Sequence, residues 1–86
     1  MIDLSALPPN PGCYLFRSAE KRIIYVGKAK DLRRRVKSYF QKKEQDPKTH
    51  SLINALDTVE FFVTDTEVEA LLLENTLIKK HQPKYN

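Results

Sequence analysis

Two short aromatic and β-branched runs, Cys13-Tyr14-Leu15-Phe16 and Ile23-Ile24-Tyr25-Val26, are joined only by a polar, turn-like stretch from Ser18 to Arg22. Parallel strands need a crossover of about a dozen residues, so a link this short dictates an antiparallel hairpin. In front of it stands Leu7-Pro8-Pro9-Asn10-Pro11-Gly12, a lead-in that neither a helix nor a central strand tolerates. At 86 residues the chain has room for one core, so a single domain spanning 1–86 is expected. Everything downstream of the hairpin must pack on it.

Asp31 is placed to cap a helix running to about Lys42, with Leu32, Val36, Tyr39 and Phe40 at helical spacing on one face. Tyr39 therefore reads as core. Arg33, Arg34 and Lys37 project elsewhere, and Arg35 lies at the flank of the stripe. Lys42 to Lys48, with its Asp46-Pro47 step, reads as a polar linker, Thr49 to Leu56 as a short helix, and Val59 to Thr64 as a third strand. Thr66-Glu67-Val68-Glu69 has the spacing of a capping box and opens a helix to about Lys80. Val68, Leu71, Leu72 and Ile78 are expected to supply its apolar face, and Pro83 to end it. The order β-β-α-α-β-α predicts an α/β (α+β) fold: a small three-stranded, mostly antiparallel sheet flanked by helices.

Composition narrows the class of function. Hydrophobic content of 41% and charged content of 30% fit a soluble globular domain rather than a disordered or fibrous one. No apolar run reaches the roughly 18–20 residues of a membrane span, and the N-terminus has no signal-peptide pattern. The one cysteine, Cys13, has no partner for an internal disulfide, which points to the cytoplasm. With His50 and His81 far apart and assigned to the surface, a structural zinc cluster is excluded. Net charge is +4, unevenly spread: Arg17 to His50 holds twelve Lys/Arg against four Asp/Glu, and the remainder three against seven. A basic middle of +8 beside an acidic remainder of −4 suggests a polyanion footprint next to a carboxylate-bearing site.

The chain has only two glycines, Gly12 and Gly27, each beside a strand tyrosine. Gly12-Cys13-Tyr14 opens the first strand, Tyr25-Val26-Gly27 closes the second, and Lys28-Ala29-Lys30 follows at once. With ten residues between the tyrosines, these triplets resemble the two halves of the GIY-YIG nuclease motif. Arg35-Val36-Lys37-Ser38-Tyr39-Phe40, Glu69-Ala70-Leu71-Leu72-Leu73-Glu74-Asn75 and Leu77-Ile78-Lys79-Lys80-His81-Gln82-Pro83-Lys84-Tyr85-Asn86 extend the likeness. Over nearly its whole length the chain is similar to the N-terminal domain family of UvrC proteins. Cys13 departs from the family's usual aliphatic residue and is expected in the core.

The resemblance implies an endonuclease that hydrolyses a DNA phosphodiester with one Mg²⁺ or Mn²⁺, in UvrC the incision on the 3′ side of a lesion during nucleotide excision repair. It also implies a monomeric domain of a longer polypeptide that receives damaged duplex DNA from a UvrB complex. Glu74 is then the candidate metal ligand, a carboxylate in an apolar stretch that needs a compensating cation; the alternative is a surface glutamate paired with Lys79 or Lys80. Tyr14 and Tyr25 are both candidates to activate or position the water, with Tyr25 taken first and Lys28 the cation expected to favour its phenolate. Arg35 is the candidate phosphate clamp. Asn86, the family's terminal asparagine, is a candidate brace, although a terminal residue is also expected to fray. Gly12 and Gly27 carry the motif's backbone. Lys30, Arg33, Arg34, Lys37, Lys42 and Lys43 would track phosphates without reading bases. Two rivals share the fold: an idle DNA-binding or partner-docking module, and a nuclease of recombination or mobile elements.

Overall fold

The computed structural model describes residues 3–41 and 46–86. Strand β1 spans Gly12–Arg17 and β2 Ile23–Ala29, and the two pair antiparallel, with Tyr14 opposite Gly27 and Phe16 opposite Tyr25. Strand β3, Thr58–Val63, pairs antiparallel with the other edge of β1, placing Cys13 opposite Phe62. The sheet order is β2-β1-β3, so the hairpin's first strand is central. Its burial follows: Gly12 through Phe16 are all buried, because β1 alone is covered on both faces and both edges.

Helices α1 (Leu32–Gln41), α2 (Pro47–Ala55) and α3 (Glu67–His81) complete the architecture, after a single 3-10 turn at Leu4–Ala6. Asp31 caps α1 as expected, its carboxylate accepting from the Arg34 N–H at 3.0 Å. The proline-rich lead-in also serves this terminus. The Asn10 carbonyl accepts from the Leu32 N–H at 2.9 Å and the Pro8 carbonyl from the Arg33 N–H at 3.2 Å. Donors that would otherwise lack an intrahelical partner are thus satisfied by a segment that cannot be helical itself. Helix α2 begins earlier than the sequence reading placed it. Asp46 is its N-cap, accepting from the Thr49 N–H at 2.7 Å, and Pro47 occupies the first turn, where a missing N–H costs nothing.

The core lies between α1 and the sheet, where Tyr14, Phe16, Leu32, Val36, Tyr39 and Leu52 bury against one another. Phe40, expected on the same stripe, is 43% exposed. Helix α3 covers the opposite face over β2 and β1, with Cys13 Sγ donating to the Ala70 carbonyl at 3.0 Å. Its packed stripe is Ala70, Leu73, Glu74, Leu77 and Ile78. Val68 and Leu72, expected to face inward, are 66% and 62% exposed, and Leu71 is exposed as well. Small Ala70 wins the inward position because it lets α3 approach the sheet closely. Beyond His81 the backbone turns through a left-handed Gln82, and Pro83 stops the helix.

Candidate functional site

The pairing register brings one face of the hairpin and one face of α1 together as an aromatic cluster. Tyr14 and Phe16 alternate onto the α1 side of β1, and Tyr25 sits opposite Phe16. The rings of Tyr14, Phe16, Tyr25 and Tyr39 all lie within 5.2–6.5 Å of one another, tilted or edge-on. Buried phenols need hydrogen-bond partners. Here they supply one another. Tyr14 Oη and Tyr39 Oη share a hydrogen bond of 2.7 Å, and Tyr25 is hydrogen-bonded to Tyr39. Arg35 Nε approaches Tyr14 Oη at 3.4 Å, its second nitrogen reaches Tyr39 Oη at 3.5 Å, and its guanidinium lies 5.1 Å from the Tyr39 ring centre. Tyr14 and Tyr39 are sealed in the core, whereas Tyr25 is half-buried and holds the outer end of the chain.

Burial raises all three phenols. Tyr25 is pushed up to about 12, first by desolvation and then by Tyr39, with Arg35 acting against the shift. Tyr14 rises for the same first reason, offset by its hydrogen bonds with Tyr39 and Arg35. Tyr39 also rises by burial, and then through the electrostatic effect of the neighbouring Tyr14 and their shared hydrogen bond. All three are therefore protonated at neutral pH, and the cation beside them is Arg35. Lys28, expected to play that part for Tyr25, sits opposite Cys13 in the register. Lys28 instead joins Lys30, Arg34, Arg35 and Ser38 around a cleft of about 330 Å³.

Glu74 reaches this region from α3, on the stripe that meets the sheet. It lies close enough to Cys13 and Tyr25 to raise both electrostatically. Among the described residues no cationic side chain stands within ion-pair distance of it; the one such pair joins Arg17 and Glu60. Pairing with Lys79 or Lys80 is thus absent, and a half-buried carboxylate remains with no ion-pair partner among the described residues. The described residues also contain no group of three His, Cys, Asp or Glu side chains able to share a metal. A hard divalent cation that keeps most of its oxygen ligands as water or phosphate suits such a donor set.

Asn86 does not fray. Its side-chain amide closes a two-bond clamp on the outer edge of β2, accepting from the Val26 N–H and donating to the Val26 carbonyl, both at 2.8 Å. The Tyr85 N–H bonds the Ile24 carbonyl at 2.9 Å, so the tail brackets Tyr25. The glycines have steric causes. A Cβ on Gly27 would collide with the Tyr14 phenol, and one on Gly12 with the Phe62 carbonyl. Lys30, Arg33 and Lys37 are exposed and Arg34 lines the Lys28 cleft; Arg33 also donates from Nε to the Leu7 carbonyl at 2.7 Å. Lys42 and Lys43 lie outside the described residues. The sequence reading missed the Tyr39 hydroxyl. Its signal was present in the Arg35–Tyr39 spacing of one helical turn, which stacks a guanidinium and a phenol on one flank.

The model of the UvrC-like GIY-YIG domain matches residues 10–86. The chain is 70% identical over 86 residues to the UvrABC system protein C of Methanosarcina barkeri, and 52% identical over 85 residues to that of Porphyromonas gingivalis. These matches take in 100% and 99% of this chain but only 17% and 14% of the two relatives, so the chain spans a small part of their length. Among solved structures it is similar to the GIY-YIG N-terminal endonuclease domain of UvrC from Thermotoga maritima bound to its catalytic magnesium, with a TM-score of 0.85 and 40% identity. That likeness covers 96% of this chain and 90% of the other. No helix among the described residues is long and apolar enough to cross a membrane. The closed phenol chain, the uncompensated carboxylate and the matching fold have one explanation: the chain belongs to the UvrC-like GIY-YIG family of endonuclease domains.

Proposed function

We propose that this domain hydrolyses a DNA phosphodiester with Glu74 holding one Mg²⁺ or Mn²⁺ and Tyr25 presenting the attacking water. The observation that carries this reading is Glu74: a carboxylate on the packed stripe of α3, beside Tyr25, with no cationic partner among the described residues. The bound cation would neutralise phosphate charge as a Lewis acid. The rest falls to the protein. Tyr25 is the outermost of three linked phenols, and its ionised form accepts the water's proton. Tyr39 and Tyr14 hold its oxygen in place, and Arg35 offers charge both to that chain and to a phosphate oxygen in the neighbouring cleft. Lys28, Lys30 and Arg34 extend the phosphate-binding surface, with Lys37 beyond them. Within a longer chain the same reaction serves as the 3′-side incision of nucleotide excision repair, on damaged duplex delivered by a UvrB complex. An idle docking module would have no use for an unpaired carboxylate in a cationic surround.

Glu74→Gln tests the assignment, because the amide keeps the shape and loses the charge. Nicking of supercoiled plasmid in magnesium should disappear, while thermal stability without metal stays within about 1 kcal/mol of the parent. Manganese should raise the melting temperature of the parent and leave that of the variant unmoved, since only a ligand bound to the folded state stabilises it. Wild-type nicking by Glu74→Gln would remove Glu74 from the metal site.

A further inference from the structure

A second concavity, of about 640 Å³, opens at the hairpin end of the sheet. Its rim carries Lys21, Arg22, His81 and Lys84, with Glu20 as the opposing charge and Tyr85 as an aromatic wall. Arg17 also borders it, but its guanidinium is held by Glu60 and by the Lys21 carbonyl. The two positive-φ residues of the described chain, Lys21 at 66° and Gln82 at 43°, stand on its walls. Neither is glycine, so both walls keep a conformation that costs free energy unless the surroundings enforce it. The lysine at 84 holds its ammonium 5.5 Å from the Tyr85 ring centre. A groove rimmed by lysine and arginine suits a phosphate backbone.

Position decides what this cleft serves. Ile23 and Ile24 form part of its lining, Tyr25 comes next along β2, and Lys28 then enters the second cationic cleft. Tyr25 thus lies between two basic concavities on one strand. At roughly 3.3 Å per residue, Ile23 to Lys28 spans about 17 Å. Successive phosphates of one strand rise roughly 3.4 Å along the duplex axis while winding round it, so a few phosphates bridge that distance. We infer that the hairpin cleft is a second phosphate-backbone subsite, which holds the DNA on the side of the scissile phosphate away from the α1 surface. This rests on the nuclease reading and specifies where its substrate runs. Binding there is sequence-tolerant, because lysine and arginine on a phosphate track read no base.

The test compares four proteins on a duplex of about 20 bp by fluorescence anisotropy across a salt series: wild type, Arg22→Ala/Lys84→Ala, Arg34→Ala/Lys37→Ala, and Lys79→Ala/Lys80→Ala as a charge-matched control on exposed α3 positions. The slope of log affinity against log salt should shrink by about 1–2 for Arg22→Ala/Lys84→Ala and for Arg34→Ala/Lys37→Ala, and stay unchanged for the control. Circular dichroism should be the same for all four. If Arg34→Ala/Lys37→Ala alone lowers the slope, the hairpin subsite is wrong and the nuclease surface stands. An unchanged slope in every variant sinks the DNA reading of both surfaces. An equal fall in the control reduces the effect to net charge and overturns the subsite. Loss of polyglutamate binding with DNA binding intact would reassign the cleft to an acidic protein segment.

Discussion

Tyr39 shows how one oxygen separates packing from function. Its ring is core, 9% exposed and in edge contact with Phe16 and Tyr14, which is what its place on the α1 stripe demands. Its hydroxyl is the middle link between Tyr25 and Tyr14. Tyr39→Phe should therefore keep the fold at a cost of about 1 kcal/mol in hydrogen bonding, yet slow nicking by about tenfold or more. Tyr25→Phe should slow it by about 10²-fold, because in the proposed mechanism it removes the proton acceptor itself. Since Tyr25 is pushed up to about 12, only a small fraction is ionised near neutrality. In the parent the rate should climb with pH through the alkaline range, and a pH–rate profile of plasmid nicking reads this. A flat profile, or full activity in Tyr25→Phe, would move the base role elsewhere. Lys28→Met is expected to act on DNA affinity, not on that profile, because Arg35 is the cation facing the phenols.

At the scale of elements, the hairpin is held in register by close contacts that tolerate no extra atom. The Cβ of Gly27→Ala would fall on the Tyr14 ring, with Cε1 at 2.8 Å and Cζ and Oη closer still. Tyr14 cannot retreat, because it is packed against Phe16 and Tyr39. The variant should lose roughly 1–3 kcal/mol, as overpacked cores do, and most of its activity, measured by denaturant melts alongside nicking. The outer edge of β2 is closed differently, by a side chain imitating a strand. Asn86→Ala removes both bonds to Val26 and exposes that edge on either side of Tyr25. Activity should drop several-fold with only a small change in melting temperature. Asn86→Gln, one methylene too long for the clamp, should not rescue it. Wild-type nicking by Asn86→Ala would reduce the clamp to a terminal tether.

For the molecule as a whole, three phenols raised by burial tie stability to alkaline pH. The folded state holds these protons more tightly than the unfolded chain, whose tyrosines titrate near 10. Their contribution is complete below about pH 10 and is lost as pH rises through the folded values. Melting temperature should be level through neutrality and fall steeply above about pH 10, and the fall should be shallower in Tyr39→Phe. Absorbance at the phenolate band should show the Tyr14, Tyr25 and Tyr39 phenols ionising above the usual tyrosine range. A melting curve insensitive to pH between 10 and 12 would mean that the cluster opens before it titrates.

Much of this molecule is readable along the chain. The hairpin follows from two β-rich runs on a short link, and β3 from its aromatic and β-branched run; the caps at Asp31 and Thr66 follow from local hydrogen-bonding chemistry. These depend on neighbours a few residues apart, which a sequence displays. The start of α2 was legible too, in Asp46-Pro47, although that dipeptide reads equally well as a loop until its carboxylate is seen to bind the Thr49 N–H. Which face of α3 packs was decided by the sheet. Leucines outnumber alanines on the sequence, but the fit against Cys13 favours Ala70, and Val68, Leu71 and Leu72 are left in solvent. Tertiary structure likewise made Arg35, which reaches Tyr14 and Tyr39, the cation in contact with the phenol chain, with Lys28 lining the adjoining cleft. It also tied the Arg33 Nε to the Leu7 carbonyl, 26 residues away in sequence, a contact that no local pattern announces. Composition and local pattern determined which elements form; the direction of each functional side chain came only from the register and packing that bring distant residues together.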